Sequence, residues 1–178
     1  MNKYLSIITL NVNGLNNPIK RHRVAEWIRR HDPHIYCLQE THLRTKNLQR
    51  LKVKGWKKKY SKQTDRKKKA RVVILISDKV DFKTKATKRD TEGHFIILKA
   101  RIHQEDINIV NIYTPNIGAP KYIRKILEDF KKNIDSNTII IGNFNTPPSI
   151  MDRSSKQNTN KDIVELNDAL DQMDLTDM

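Results

Sequence analysis

The chain has 178 residues, 37% hydrophobic and 31% charged, with a formal net charge of +15 and a pI near 9.9. That length fits one domain, or most of one somewhat larger domain, with enough apolar residues for a core. It argues against a membrane-spanning helix, since no apolar run approaches ~18 residues, against a disulfide framework, since Cys37 is the lone cysteine, and against a secretory leader.

In chain order, Leu5–Leu10 reads as a strand, rich in Ile and ending on a polar run. Pro18 is a good first-turn residue, and Val24, Trp27, Ile28 and His31 give the following helix one apolar face; it ends before Pro33. Ile35–Leu38 is a second strand. Cys37 lies inside it, an inert buried thiol that suits a reducing, intracellular setting. Residues 52–71 then carry eleven Lys or Arg and a single Asp. This run makes nucleic acid the leading partner class and offers Trp56 and Tyr60 for stacking on bases; the plainer reading is a solvated basic hairpin.

Strands follow at Val72–Ile76, Phe95–Leu98, Ile107–Tyr113 and Thr138–Ile141. Several are apolar on successive residues, which suits strands covered on both faces. A helix from Pro120 carries Ile123, Ile126, Leu127, Phe130 and Ile134 at helical spacing. A third, from Lys161 to Met173, carries Ile163, Val164, Leu166, Leu170 and Met173 in an acidic stretch. The pattern is an α/β layered domain with its chemistry at strand ends. The amphipathic run "ALDQMDLTDM" reaches Met178 without a stop signal, which reads as an interrupted domain.

Four strand ends carry polar groups: Asn11 in "TLNVNGL", Glu40 in "CLQETHL", Tyr113 and Asn116 in "NIYTPN", and Asn143 and Asn145 in "IIIGNFNT". Singly, each has an ordinary role, because Asn and Gly are turn residues and Glu40 could cap the helix or loop after it. Together they are how a layered α/β domain builds a site. Mg²⁺ is hard, prefers oxygen and is often held by one or two carboxylates plus water, so Glu40 with Asn11 is a candidate metal pair. Tyr113 and Asn145 are candidate hydrogen-bond donors to a phosphate.

"TLNVNGLNNPIKRHRV", "DPHIYCLQETHL", "NIYTPNIGAP" and "GNFNTPPSIMDRS" closely resemble the endonuclease domain of the replicase polyprotein of mammalian long interspersed (LINE-type, non-LTR) retrotransposons. That domain belongs to the endonuclease/exonuclease/phosphatase superfamily of exonuclease III and the apurinic/apyrimidinic endonucleases. The resemblance runs in order from about Leu5 to Met178. It implies a single domain over residues 1–178 with a DNase I-like four-layer sandwich of two packed mixed β-sheets flanked by helices. It implies Mg²⁺-dependent nicking of DNA, with Mn²⁺ as the alternative ion, no small-molecule cofactor and no membrane partner. A downstream reverse transcriptase in the full-length chain and an intracellular, preferentially nuclear location are further implications of the resemblance. Carried over by position, Glu40 and Asn11 hold the metal, Tyr113, Asn143 and Asn145 act at the scissile phosphate, and Asn116 and Arg153 lie along the DNA.

Three departures stand out. The family motif Gly-Asp-Phe-Asn has Asn143 in place of its Asp, and an amide cannot accept a proton. The family's later strands bring an Asp and an Asp-His pair, whereas this chain stops before them and His42 and His94 read as structural. The missing strands imply uncovered edges and poor solubility. The family's small residue after Ala70 is Arg71 here. The expectation is an endonuclease copy with weak or no activity. The alternatives are a nucleic-acid-binding remnant without catalysis and a repair-type abasic endonuclease or 3′–5′ exonuclease.

Overall fold

The computed structural model describes residues 4–61, 69–114, 119–131 and 134–143. Its elements are β1 (Ile7–Asn11), α1 (Pro18–His31), β2 (Ile35–Leu43), α2 (Thr45–Arg50), β3 (Lys58–Ser61), β4 (Ala70–Ile76), β5 (Phe82–Arg89), β6 (Phe95–Ile102), β7 (Glu105–Tyr113), α3 (Ala119–Phe130) and β8 (Thr138–Asn143). The chain divides into two compact units, Met1–Tyr113 with Asn137–Asn143 and Thr114–Ser136 with Phe144–Met178. The expected helix from Lys161 lies outside the described residues, as do Asn116, Asn145 and Arg153.

The first unit holds two four-stranded mixed sheets, ordered β1-β2-β4-β3 and β5-β6-β7-β8. Each contains one parallel pair, β1 with β2 and β7 with β8. The remaining pairs are antiparallel. Period-2 alternation explains why the central strands are apolar on successive residues. On β2 and β4, Ile35, Cys37, Val72, Ile74 and Ile76 face the second sheet and pack with Ile96, Leu98, Ala100 and Ile109. Tyr36, Leu38, Val73 and Leu75 face the other way, into a second cluster with Ile28 of α1 and Leu48 of α2. Burying both faces is what makes the central strands read as continuous apolar runs.

α1 forms where the sequence predicts it. The Asn17 side chain caps it by accepting from the N–H groups of Ile19 and Lys20, and Pro18 opens its first turn. Asp32 ends it in the left-handed conformation. In the second unit, α3 buries Ile123, Ile126, Leu127 and Phe130, and Arg124 pairs with Glu128 one turn on at 3.0 Å.

Three elements escape a sequence reading: α2, β3 and β5. Both strands are lysine-rich, "KKYS" and "FKTKATKR", and border their sheets, so only one neighbour and one face constrain their composition. β2 also runs to Leu43, well past the expected Leu38, because it continues through a bulge. Among the described residues no helix is long and apolar enough to cross a membrane.

Candidate active site

The site is built where the two parallel pairs end. β1 and β2 are paired through Asn11↔Gln39, and β7 and β8 through Tyr113↔Asn143. Asn11 and Glu40 therefore leave one sheet in the same direction, while Tyr113 and Asn143 leave the other side by side.

Glu40 sits in the irregularity of β2. Pairing with β4 is regular up to Gln39↔Val72 and resumes at Leu43↔Ala70. Three residues of β2, Glu40 to His42, thus face one of β4, Arg71. Glu40 and His42 both adopt positive φ, 56° and 48°, unusual for residues with a Cβ. A bulge of this kind re-aims a side chain that a regular strand would hold upright on one face of the sheet. The carbonyls of the distortion are tied to the loop after β1. Val12, Gly14 and Leu15 donate to the carbonyls of Gln39, Glu40 and Thr41 at 3.0, 2.7 and 2.8 Å. The Thr41 hydroxyl donates to the Ala70 carbonyl at 2.8 Å. The loop that makes the first three bonds is itself fixed by buried Arg21, whose guanidinium donates to the carbonyls of Leu15 and Asn16.

One residue before Glu40, a buried amide network joins the sheets. Gln39 Nε2 donates to Asn111 Oδ1 at 2.8 Å and bonds the Thr9 hydroxyl at 2.9 Å. Asn111 Nδ2 donates across to the carbonyls of Leu38 and Val73 at 3.1 and 3.2 Å. A sequence reading passes over these residues, although an amide inside "IVNIY" and "CLQE" is itself a signal: a buried polar group demands partners.

Tyr113 belongs to the core between the sheets and is 6% exposed. Its backbone N–H donates to the His94 carbonyl at 2.7 Å. Burial raises the pKa of its hydroxyl, the negative charge of Glu40 raises it further, and the positive charge of Arg71 works against both. The hydroxyl is therefore a hydrogen-bond donor at neutral pH, and Glu40, Arg71 and Tyr113 share one electrostatic neighbourhood. His42 is there too. Its Nε2 lies 3.7 Å from Glu40 Oε1 and its ring stands edge-on to Tyr113, centroids 6.2 Å apart. His94 is structural, as expected: its backbone and ring both bond Asp90.

At the other strand end, Gly142 pairs with Ile112. A Cβ on Gly142 would lie 2.2 Å from the Ile112 carbonyl oxygen, so only glycine lets β8 run straight to Asn143. Asn11 closes a local turn, its Oδ1 accepting from the Asn13 N–H at 3.0 Å. The candidate donors offer one carboxylate, Glu40, and side-chain amides, and no group of three or more His, Cys, Asp or Glu gathers among the described residues. Such a set fits a hard divalent cation that keeps most of its water.

The described part of the basic run behaves differently from expectation. Trp56 is 3% exposed in the core beneath α1, and Tyr60 packs on Phe82 and bonds the Thr84 hydroxyl, so neither is free to stack on bases. Lys58 donates to the Phe82 carbonyl and Lys59 to those of Leu48 and Leu51. Both lysines serve the fold, and their aromatic neighbours are buried because that stretch carries β3 into the sheet.

Residues 8–174 match the model of the Endonuclease/Exonuclease/phosphatase family. The chain belongs to this family. A relative in Xenopus laevis, the Transposon TX1 uncharacterized 149 kDa protein, is 30% identical over 154 residues, covering 84% of this chain and 12% of its own length. Two solved structures share the fold of two mixed sheets with flanking helices. One is the endonuclease domain of TRAS1, a telomere-specific non-LTR retrotransposon, 12% identical with a TM-score of 0.68. The other is an AP endonuclease from Archaeoglobus fulgidus, 22% identical with a TM-score of 0.64. Each alignment covers 96% of this chain and 71% of the other. This family member thus resembles transposon proteins in sequence and in fold, as its motifs indicate, and spans only a small part of the transposon protein's length.

Proposed function

We propose that the chain is a metal-dependent hydrolase of DNA phosphodiesters, a strand-nicking endonuclease of retrotransposon type, slowed by its own Asn143. The observation that carries this reading is the placement of Glu40. A bulge with two strained residues, locked on both sides by backbone bonds and pinned to the second sheet by Gln39 and Asn111, serves to aim one carboxylate. Strain held this firmly is a mark of a functional residue.

In this reading Glu40 and Asn11 hold Mg²⁺, or Mn²⁺, which supplies charge stabilisation at the scissile phosphate when bound. Tyr113, kept protonated by burial and by Glu40, donates to a non-bridging phosphate oxygen. Asn143, the register partner of Tyr113, orients the attacking water but cannot take its proton. Asn145, Asn116 and Arg153, assigned by resemblance to the phosphate and along the DNA, complete the set.

Nicking of supercoiled plasmid tests this. Slow, Mg²⁺-dependent nicking, abolished by EDTA and by Glu40→Ala, is expected. Asn143→Asp restores a positioned base and is expected to raise the rate by about 10²–10⁴. Plasmid bound but nicked by neither protein would favour the second reading, a DNA-binding module without catalysis, to which the amide at Asn143 points.

A further inference from the structure

We infer that Arg71 is a substrate-binding residue of this strand-end site, its guanidinium taking a non-bridging oxygen of the DNA backbone beside Tyr113. The inference rests on the reading that the site receives DNA.

Arg71 is fixed by strand pairing. It is the single residue of β4 between Ala70 and Val72, opposite the Glu40–His42 bulge. Its backbone N–H donates to the Gly93 carbonyl at 3.3 Å, and the next carbonyl, that of His94, accepts from Tyr113. One turn therefore tethers Arg71 and Tyr113 to the same place. The charge of Arg71 is felt at the Tyr113 hydroxyl.

What sets Arg71 apart among the described half-buried cations is that its guanidinium holds neither a carbonyl nor a carboxylate. It is half-buried, yet no carboxylate among the described residues lies within 4.0 Å of it. Other cations of the first unit are engaged: Arg21, Lys58 and Lys59 on backbone carbonyls, Lys85 and Arg101 on Asp106. A partly desolvated guanidinium with its N–H groups unpaired is unfavourable by itself and selects an anionic ligand. Its planar fork matches the two oxygens of a phosphate. A divalent cation would be repelled, so Arg71 serves the substrate while Glu40 serves the metal.

The test is binding of a fluorescent DNA duplex in EDTA, across a salt series, by the wild-type chain, Arg71→Gln, Arg71→Lys and Arg71→Gly. EDTA separates binding from cleavage, and the melting curve of each variant reports folding. Arg71→Gln and Arg71→Gly are expected to weaken binding roughly 5- to 10-fold at low salt and to make the slope of log K against log salt shallower by about 0.9, one phosphate contact. Arg71→Lys is expected to keep the slope and lose part of the affinity. Wild-type affinity and slope in a folded Arg71→Gln or Arg71→Gly would overturn the assignment while leaving the DNA reading intact. Tighter binding by either would overturn it too, making Arg71 an obstruction. A wild-type chain that binds no duplex would remove the DNA reading and this inference together.

Discussion

The two strand ends that meet at the site are built in opposite ways. β2 reaches Glu40 by breaking its register, with three residues set against one and two side chains forced to positive φ. β8 reaches Asn143 by keeping its register without a break, through a glycine pressed against the neighbouring backbone. The difference teaches that a strand can place a polar group by strain or by close approach. Strain aims one residue off the sheet, where a cation can reach it. Close approach sets a residue level with its neighbour, as Asn143 is with Tyr113.

The largest way to break that contrast is at Gly142. Gly142→Ala drives a methyl group into the Ile112 carbonyl and is expected to cost about 2–3 kcal/mol, read as a lower denaturant midpoint at unchanged m-value. A variant as stable as wild type would mean that β8 carries no close contact. Next is the pin behind Glu40. Asn111→Leu leaves Gln39 and two carbonyls short of their donors or acceptors, a loss of about 1–3 kcal/mol by chemical denaturation, accompanied by weaker cleavage if Glu40 loses its aim. Stability falling with cleavage intact would show that the bulge holds its shape without the network.

A smaller effect lies beneath Tyr113. Burial pushes the Asp90 carboxyl up, but hydrogen bonds from the ring and backbone of His94 and from the backbone of Glu92 overcome it and hold the pKa at about 2. Its folded value is below its unfolded one, so the stability it contributes is present above pH ~4 and lost as pH falls toward about 2, on the order of 1–2 kcal/mol. Asp90→Asn should flatten that part of the pH–stability curve; an unchanged acid limb would sink the assignment. The smallest effect sharpens the contrast most. Glu40→Gly relieves the left-handed strain and is expected to stabilise the chain by about 1 kcal/mol while ending Mg²⁺-dependent cleavage. A destabilised Glu40→Gly would mean the bulge is not strained.

Much of this was legible in the sequence. Asn11, Glu40, Tyr113 and Asn143 were visible because each comes at the end of an apolar run, and a polar residue there has few reasons to exist beyond a turn or a site. The strands themselves were visible where both faces are buried. The features that stayed hidden depend on the partner strand. Nothing in "CLQETHL" alone reveals that pairing slips after Gln39, so neither the strain at Glu40 nor the arrival of Arg71 and His42 beside it could be read. Trp56 and Tyr60 misled for the same reason: lysines on either side suggested a free hairpin, but β3 pairs with β4 and turns Tyr60 onto the core, and Trp56, just before β3, is buried in the second cluster. β5 was invisible because its outward lysines mask the Phe82 and Ala86 positions that pair it to β6.

Those lysines bear on how the protein behaves in concentrated solution. Among the described residues β5 borders its sheet, with one ladder of N–H and C=O groups facing away from β6. Lys83, Lys85 and Lys88 punctuate that border with charge, which would have to be stripped of water before a second molecule could zip onto it. The chain therefore carries its own guard against intermolecular strand addition. Acetylating these side chains, which removes the charge and leaves the backbone untouched, should turn a soluble border into an adhesive one.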